Sequence, residues 1–196
     1  MAVLALDAEL ARAATLSNRL AAQLRLTWWG DVLDRLVAGE PPREHPVCQA
    51  LALAAKLAPG ILPDLQGSVE SRIAALDDSP LSAGSALTWA DRTAGAVARA
   101  SLRLLDCNAC AEFASAAGQA VGLAQLRRRE PASPPTLAPL LVASLAEANR
   151  RVSGLSSAGW PAVAAAALVR GSDRTGRWTG VEKRLRLLWA TARGRL

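Results

Sequence analysis

The stretch from Leu24 to Ala50, LRLTWWGDVLDRLVAGEPPREHPVCQA, reads as a helix, a turn and the start of a second helix. Leu26, Trp29, Val32, Leu33 and Leu36 recur at three- and four-residue spacing, which places them on one helical face. Arg25, Asp31, Asp34 and Arg35 fall largely off that face. Adjacent helical residues are about 100° apart, so Trp28 and Trp29 point to different sides. One anchors the core while the other packs against a second element. Gly39 ends the helix, Pro41 and Pro42 block its continuation, and His45-Pro46 opens the next with proline in the first turn, where its missing N–H does no harm.

Working outward, the remaining chain continues this pattern. Alanine and leucine dominate, β-branched residues are sparse, and the aromatics are six Trp and one Phe with no Tyr. Such a composition favours an all-α architecture. The 196 residues, 51% of them apolar, suit one domain, 1–196, with a single sizeable core. Residues 2–23 read as the first helix, with Leu4, Ala8, Ala11, Leu16 and Leu20 among its apolar positions. Further helices are expected over His45–Leu57, Ile61–Leu76, Leu87–Leu105, Ala111–Arg129, Leu137–Val152, Ala158–Arg170 and Val181–Leu196, with Gly171 to Gly180 as a polar loop.

The longest apolar run, Trp160 to Val169, is about half the length of a bilayer span. The start of the chain has neither the basic segment nor the cleavage pattern of a signal peptide, so a cytoplasmic location is expected. Three cysteines without an export signal imply reduced thiols rather than a disulfide framework. The formal net charge is +6, and it is unevenly spread: residues 150–196 hold ten Arg/Lys against two acids, and residues 1–149 hold thirteen against fifteen. The basic character belongs to the C-terminal quarter.

Four segments carry a family resemblance. RLTWWGDVLDRLVAGEPPREHPV (25–47) resembles the R-L-x-W-W-x-x-A-L-x-x-[IL]-x-x-G-x-P-x-x-H-P-V segment of bacterial squalene/phytoene synthase-like proteins, in particular a short branch related to the mitochondrial respiratory complex I assembly factors built on that fold. LTWADRTAGAVARAS (87–101) is similar to the family's Y-x-x-x-x-A-G-x-V, with Trp89 at the aromatic position. AAGQAVGLAQLRRREP (116–131) resembles its A-x-Q-L-T-N-I-L-R-D-x-x-E-D helix, and LRLLWATARGRL (185–196) the L-x-L-L-W-x-x-x-R-G-R close of the short branch. The resemblance implies an isoprenoid-synthase-like helical bundle, here lacking the first helix, which the family places upstream.

In prenyl-transferring members, the resemblance implies, two acidic clusters face each other across a cavity. Carboxylates one helical turn apart jointly hold Mg²⁺, which neutralises the substrate diphosphate as it leaves. In this chain Ala8, Glu9 and Arg12 fall on the first cluster, so one acid survives and the last position is reversed in sign. On the second, Gln125 replaces Asn, Arg128 matches Arg, and Arg129 falls on the catalytic Asp. A guanidinium has no acceptor and cannot ligate Mg²⁺, although it can bind an anion such as a phosphate. Glu40 and Glu44 are the one pair of acids four residues apart, and they straddle Pro41-Pro42 off any helix. Pro131 to Pro135 stands where catalytic members carry a longer, basic, lid-like segment.

Two other groupings invite a metal reading. Asp77-Asp78 precedes Ser79-Pro80 and reads as a solvated helix end and turn. Cys107 and Cys110 form a C-x-x-C, and His45 and Cys48 have the same spacing. Together they have the composition of a Cys₃His zinc set, but nothing in the sequence brings the two halves together, and buried thiols are the simpler reading.

The last predicted helix is strongly amphipathic. Val181, Leu185, Leu188, Trp189, Ala192 and Leu196 form one stripe, with Lys183, Arg184, Arg186, Arg193 and Arg195 outside it. The expectation is that the stripe docks on the core and the cations are solvated; the alternative is a basic face for anionic lipid headgroups or an acidic partner. No stacking-aromatic pattern or recognised motif points to nucleic acid. The functional expectation is a non-catalytic squalene/phytoene synthase-like protein with an assembly, scaffold or isoprenoid-lipid-binding role and no cofactor. The alternative is a Mg²⁺-dependent prenyltransferase that condenses isoprenoid diphosphates head to head. Small residues along Leu87–Leu105 suit close helix packing more than a ligand cavity.

Overall fold

Asn18 divides what the sequence pattern runs together. Its side chain accepts a hydrogen bond from the N–H of Ala21 at 3.1 Å, supplying the acceptor that a new helix lacks at its start. Just before it, the Thr15 hydroxyl donates to the carbonyls of Ala11 and Arg12, occupying acceptors left open at a helix end. The computed structural model, which describes residues 1–77, 81–105, 111–129, 137–152, 155–171 and 180–193, therefore has α1 over Ala2–Ala14 and α2 over Arg19–Val37, in place of a single helix over 2–23.

The Trp-Trp stretch folds as its residues dictate. Gly39, at φ +76°, closes α2: its N–H reaches the Leu36 carbonyl at 3.1 Å and the Glu40 N–H reaches Arg35 at 2.9 Å, the paired bonds of a Schellman motif. The helix α3, Pro46–Leu57, is capped by the imidazole of His45, whose Nδ1 accepts from the Val47 N–H at 3.2 Å. Trp29 is buried, and Trp28 is packed between it, the His45 ring and the Arg43 guanidinium.

Next come α4 (Ile61–Ala74), α5 (Ala83–Ala90) and α6 (Ala96–Leu105). Between α5 and α6 lies a π-helical turn, Asp91–Gly95, where the sequence pattern predicts unbroken helix. The chain continues through α7 (Ala111–Arg129), α8 (Leu137–Arg151), the short α9 (Trp160–Val163) with a 3₁₀ segment (Ala164–Gly171) where one α-helix is expected, and α10 (Gly180–Arg193). No strand occurs among the described residues.

The apolar faces meet in two main clusters. Val3, Leu6 and Leu10 of α1 join Trp29 and Leu33 of α2, Leu51 of α3 and Leu65 of α4. Phe113 and Leu123 of α7 join Trp89 of α5, Leu141 and Leu145 of α8 and Trp160 of α9. The α5–π–α6 rod runs between them and touches both α4 and α7.

At the crossing with α7 two glycines are required. A Cβ at Gly118 would stand 2.4 Å from the Cα of Gly95, and one at Gly122 would stand 2.7 Å from the Cβ of Ala90. Backbone meets backbone there, so the small residues of this rod serve packing. The π turn sits at this contact, and the Thr93 hydroxyl occupies the Trp89 carbonyl at 2.7 Å.

Candidate functional site: the cleft between α1 and α7

Helix spacing selects which side chains of α1 can face α7. Asp7, Ala11 and Ala14 lie four and three residues apart and share one face. They line a hollow of about 250 Å³ with Thr15, Gln125 and Arg128, completed by Trp89 and Arg72. Of the positions expected from sequence, Gln125 and Arg128 are at this hollow, whereas Ala8, Glu9 and Arg12 are not. Ala8 is exposed, and Glu9 turns toward α2, pairing with Arg12 and with Arg25 at 3.0 Å. The side chain of Arg129 is outside the described residues.

Asp7 is the one carboxylate among the described residues lining the hollow, and it is engaged. Its Oδ1 accepts from the Arg72 guanidinium at 2.6 Å, and Arg72, only 5% exposed, also donates to the Ser68 hydroxyl and its carbonyl. A buried guanidinium is stable only when a counter-charge and acceptors offset its lost hydration, which is the service Asp7 performs. Across the hollow the exposed Arg128 adds a second cation. A Mg²⁺ and diphosphate site requires several uncommitted oxygen ligands, and two guanidiniums beside one neutralised carboxylate do not fit it. Among the described residues no group of three or more His, Cys, Asp or Glu side chains comes together.

A second polar centre had no signal in the spacing of the sequence. Arg99 of α6 donates to Asp64 of α4 at 3.0 Å, to Asp91 of the π turn at 3.1 Å and to the Ser115 hydroxyl of α7 at 2.7 Å. Gln119 also donates to Asp91, at 3.1 Å. One guanidinium thus ties four elements together where the π turn crosses α7. Its partners are 35, 8 and 16 residues away in a chain of helices, beyond any local pattern; the eight-residue spacing of Asp91 and Arg99 is the single part that one helical face would suggest.

The proposed zinc set is only partly in view. Cys107 and Cys110 lie outside the described residues. His45 spends its Nδ1 on the α3 cap, and Cys48 is buried in the first core cluster, where desolvation pushes its thiol pKa up against the lowering influence of Arg43. Asp77 is exposed and pairs with Arg19, and Asp78 is outside the described residues. Glu40 pairs with Arg35 at 2.7 Å.

The final helix corrects an expectation. Leu185, Leu188 and Trp189, the stripe expected to dock, are 60%, 68% and 52% exposed. Docking instead uses the opposite face: Ala190 is buried, Leu187 packs against the second core cluster, and the Arg186 Nε donates to the Ala167 carbonyl at 2.6 Å. Periodicity identifies a stripe, but which stripe is covered depends on the 3₁₀ segment it meets. Lys183, Arg184 and Arg193 are exposed, Arg193 stacking its guanidinium 4.3 Å from the Trp189 ring centre. Arg195 is outside the described residues.

The architecture is thus an all-α bundle whose cleft is framed by its first and seventh helices. The squalene/phytoene synthase family model matches residues 1–131, which take in both sides of that cleft. The chain belongs to the squalene/phytoene synthase family, with the family's all-α isoprenoid-synthase fold. Comparison with curated proteins and with solved structures gives no match. No described helix is long and apolar enough to cross a membrane.

Proposed function

We propose that this chain is a non-catalytic member of the family, a pseudoenzyme with a scaffold or assembly role. The observation that carries the reading is the Asp7–Arg72 pair facing Gln125 and Arg128. Prenyl-diphosphate condensation places carboxylates and Mg²⁺ where this hollow places guanidiniums, so its electrostatics are opposite in sign to those the reaction uses. Size supports the same reading. Small-molecule pockets commonly run about 300–1,000 Å³, and a hollow of about 250 Å³ falls below that range, although head-to-head condensation would need room for two isoprenoid chains. A role as a packed scaffold is therefore favoured over storage of an isoprenoid lipid in this cleft.

The test is incubation with farnesyl and geranylgeranyl diphosphate, with and without millimolar Mg²⁺, followed by extraction and product analysis. The expected result is no C30 or C40 product and no Mg²⁺-dependent gain in thermal stability. Formation of either hydrocarbon in a Mg²⁺-dependent manner would overturn the reading and establish the prenyltransferase alternative.

A further inference from the structure

The α10 helix is held by one face and presents the other to solvent, and the exposed face has an ordered chemistry. With Leu185 taken as zero and successive residues about 100° apart, Trp189 stands about 40° to one side and Leu188 about 60° to the other. Arg193 and Arg184 follow at about 80° and 100° on the two flanks, whereas Leu187 and Ala190 fall on the far side, where the helix docks. Exposed apolar residues thus run along the crest with an arginine on each shoulder, and the exposed Glu182, at about 60°, stands between Trp189 and Arg193. Between Gly180 and Arg193 the helix holds four cations, Lys183, Arg184, Arg186 and Arg193, against Glu182 alone.

We infer that α10 is a peripheral membrane-docking helix that lies in the plane of an anionic lipid surface. The occupant follows from the charge and its placement. A Leu/Trp crest buries itself at the headgroup–acyl boundary, and flanking cations at its shoulders are positioned to meet lipid phosphates and carboxylates. The Arg193–Trp189 stack fits this, because an indole at the interface and a guanidinium at headgroup height are neighbours in such an arrangement. Leu185, Leu188 and Trp189 are each more than half exposed, and Leu185 and Trp189 border a hollow of about 360 Å³ with Glu182 and Arg186, so this face is open to an apolar surface rather than packed on the bundle. The segment lies beyond residues 1–131, so the inference stands apart from the cleft and from the reading given to it.

The experiment is co-sedimentation of the full chain with vesicles of phosphatidylcholine alone and with about one-third phosphatidylserine, at low and high salt. The expected result is binding to the anionic vesicles that weakens with salt and is at least tenfold tighter than to neutral ones. Arg184→Gln with Arg193→Gln should weaken it about thirtyfold, and Leu188→Ser with Trp189→Ser at least tenfold, with circular dichroism unchanged because all four side chains are exposed. Failure of the chain to sediment with either vesicle would overturn the inference and leave the crest to a protein partner. Equal sedimentation of the parent chain and the Leu188→Ser/Trp189→Ser variant would overturn it as well, since non-specific attraction of a basic protein needs no crest.

Discussion

Gly118 of α7 meets Gly95 of the π turn so closely that a methyl group on Gly118 would stand 2.4 Å from the Gly95 Cα. Helix propensity alone argues that Gly→Ala in a helix stabilises by about 1 kcal/mol. At Gly118 the obstacle is backbone, which has no rotamer to move, and overpacking costs of about 1–3 kcal/mol outweigh the gain. The variant Gly118→Ala is expected to lose about 1–2 kcal/mol in urea denaturation. Gly67→Ala, in α4 with nothing within 4 Å of the added carbon, is expected to gain about 0.5–1 kcal/mol. If the two variants shifted stability in the same direction, the close crossing would not be the reason for glycine at 118.

The cap on α3 is an imidazole rather than a hydroxyl or carboxamide. His45→Ala removes the acceptor for the Val47 N–H and the ring that packs edge-on to Trp28 and Trp29. Loss of a cap of this kind costs about 1 kcal/mol. His45→Asn keeps a capping acceptor and discards the ring. Recovery of most of the lost stability by Asn would assign the residue's contribution to capping; no recovery would assign it to the aromatic contacts.

Arg99 is the pin of the bundle's middle. Arg99→Leu is expected to destabilise by about 3 kcal/mol, because it takes the shared counter-ion from Asp91 and Asp64 and leaves Asp64 only the longer pair with Arg103 at 3.6 Å. Arg99→Lys should recover only part of this, since one ammonium cannot reproduce a planar fork that reaches α4, the π turn and α7 together. Equal stability of the Lys variant and the parent would show that charge alone suffices.

What could be read in advance was local, and what could not was relational. The Gly39 terminator, the His-Pro start of α3 and the bounds of α7 were legible because each depends on residues within a turn or two. The Asn18 cap was also written locally, as Ser17-Asn18 after Thr15, but a stretch free of proline and glycine outweighed it. The π turn arises from a contact with α7, and Arg99 gathers partners from three other elements, so neither leaves a periodic trace. At the cleft, Gln125 and Arg128 were placed from sequence, whereas the α1 face turned to them by Asp7 and Ala11 follows from how Leu6 and Leu10 seat in the core.

Cys48 gives a pH-dependent prediction. Burial raises its thiol pKa above the ordinary value, so the folded state favours the neutral form. The sign follows from linkage: this contribution to stability is complete below the unfolded thiol's pKa and is lost as pH rises through the higher folded value. In native protein at pH 8, Cys48 should therefore resist iodoacetamide, and peptide mapping should find it modified only when urea is present. Rapid alkylation of Cys48 without denaturant would show that the α3 core opens readily.

Asp7 distinguishes a structural cleft from a chemical one. Asp7→Asn removes a counter-charge from the buried Arg72, which keeps its bonds to Ser68 of the same helix. Loss of a charge-assisted bond to a buried guanidinium is expected to cost about 2 kcal/mol in denaturant unfolding. A carboxylate kept for metal binding behaves in the opposite way: neutralising it relieves unfavourable charge, leaves stability equal or higher, and abolishes any Mg²⁺-induced rise in melting temperature. Measuring the parent and Asp7→Asn proteins with and without Mg²⁺ separates the two. Destabilisation that Mg²⁺ does not alter is the outcome that the Asp7–Arg72 geometry requires, and a stabilised, Mg²⁺-insensitive variant of a Mg²⁺-responsive parent would return the cleft to catalysis.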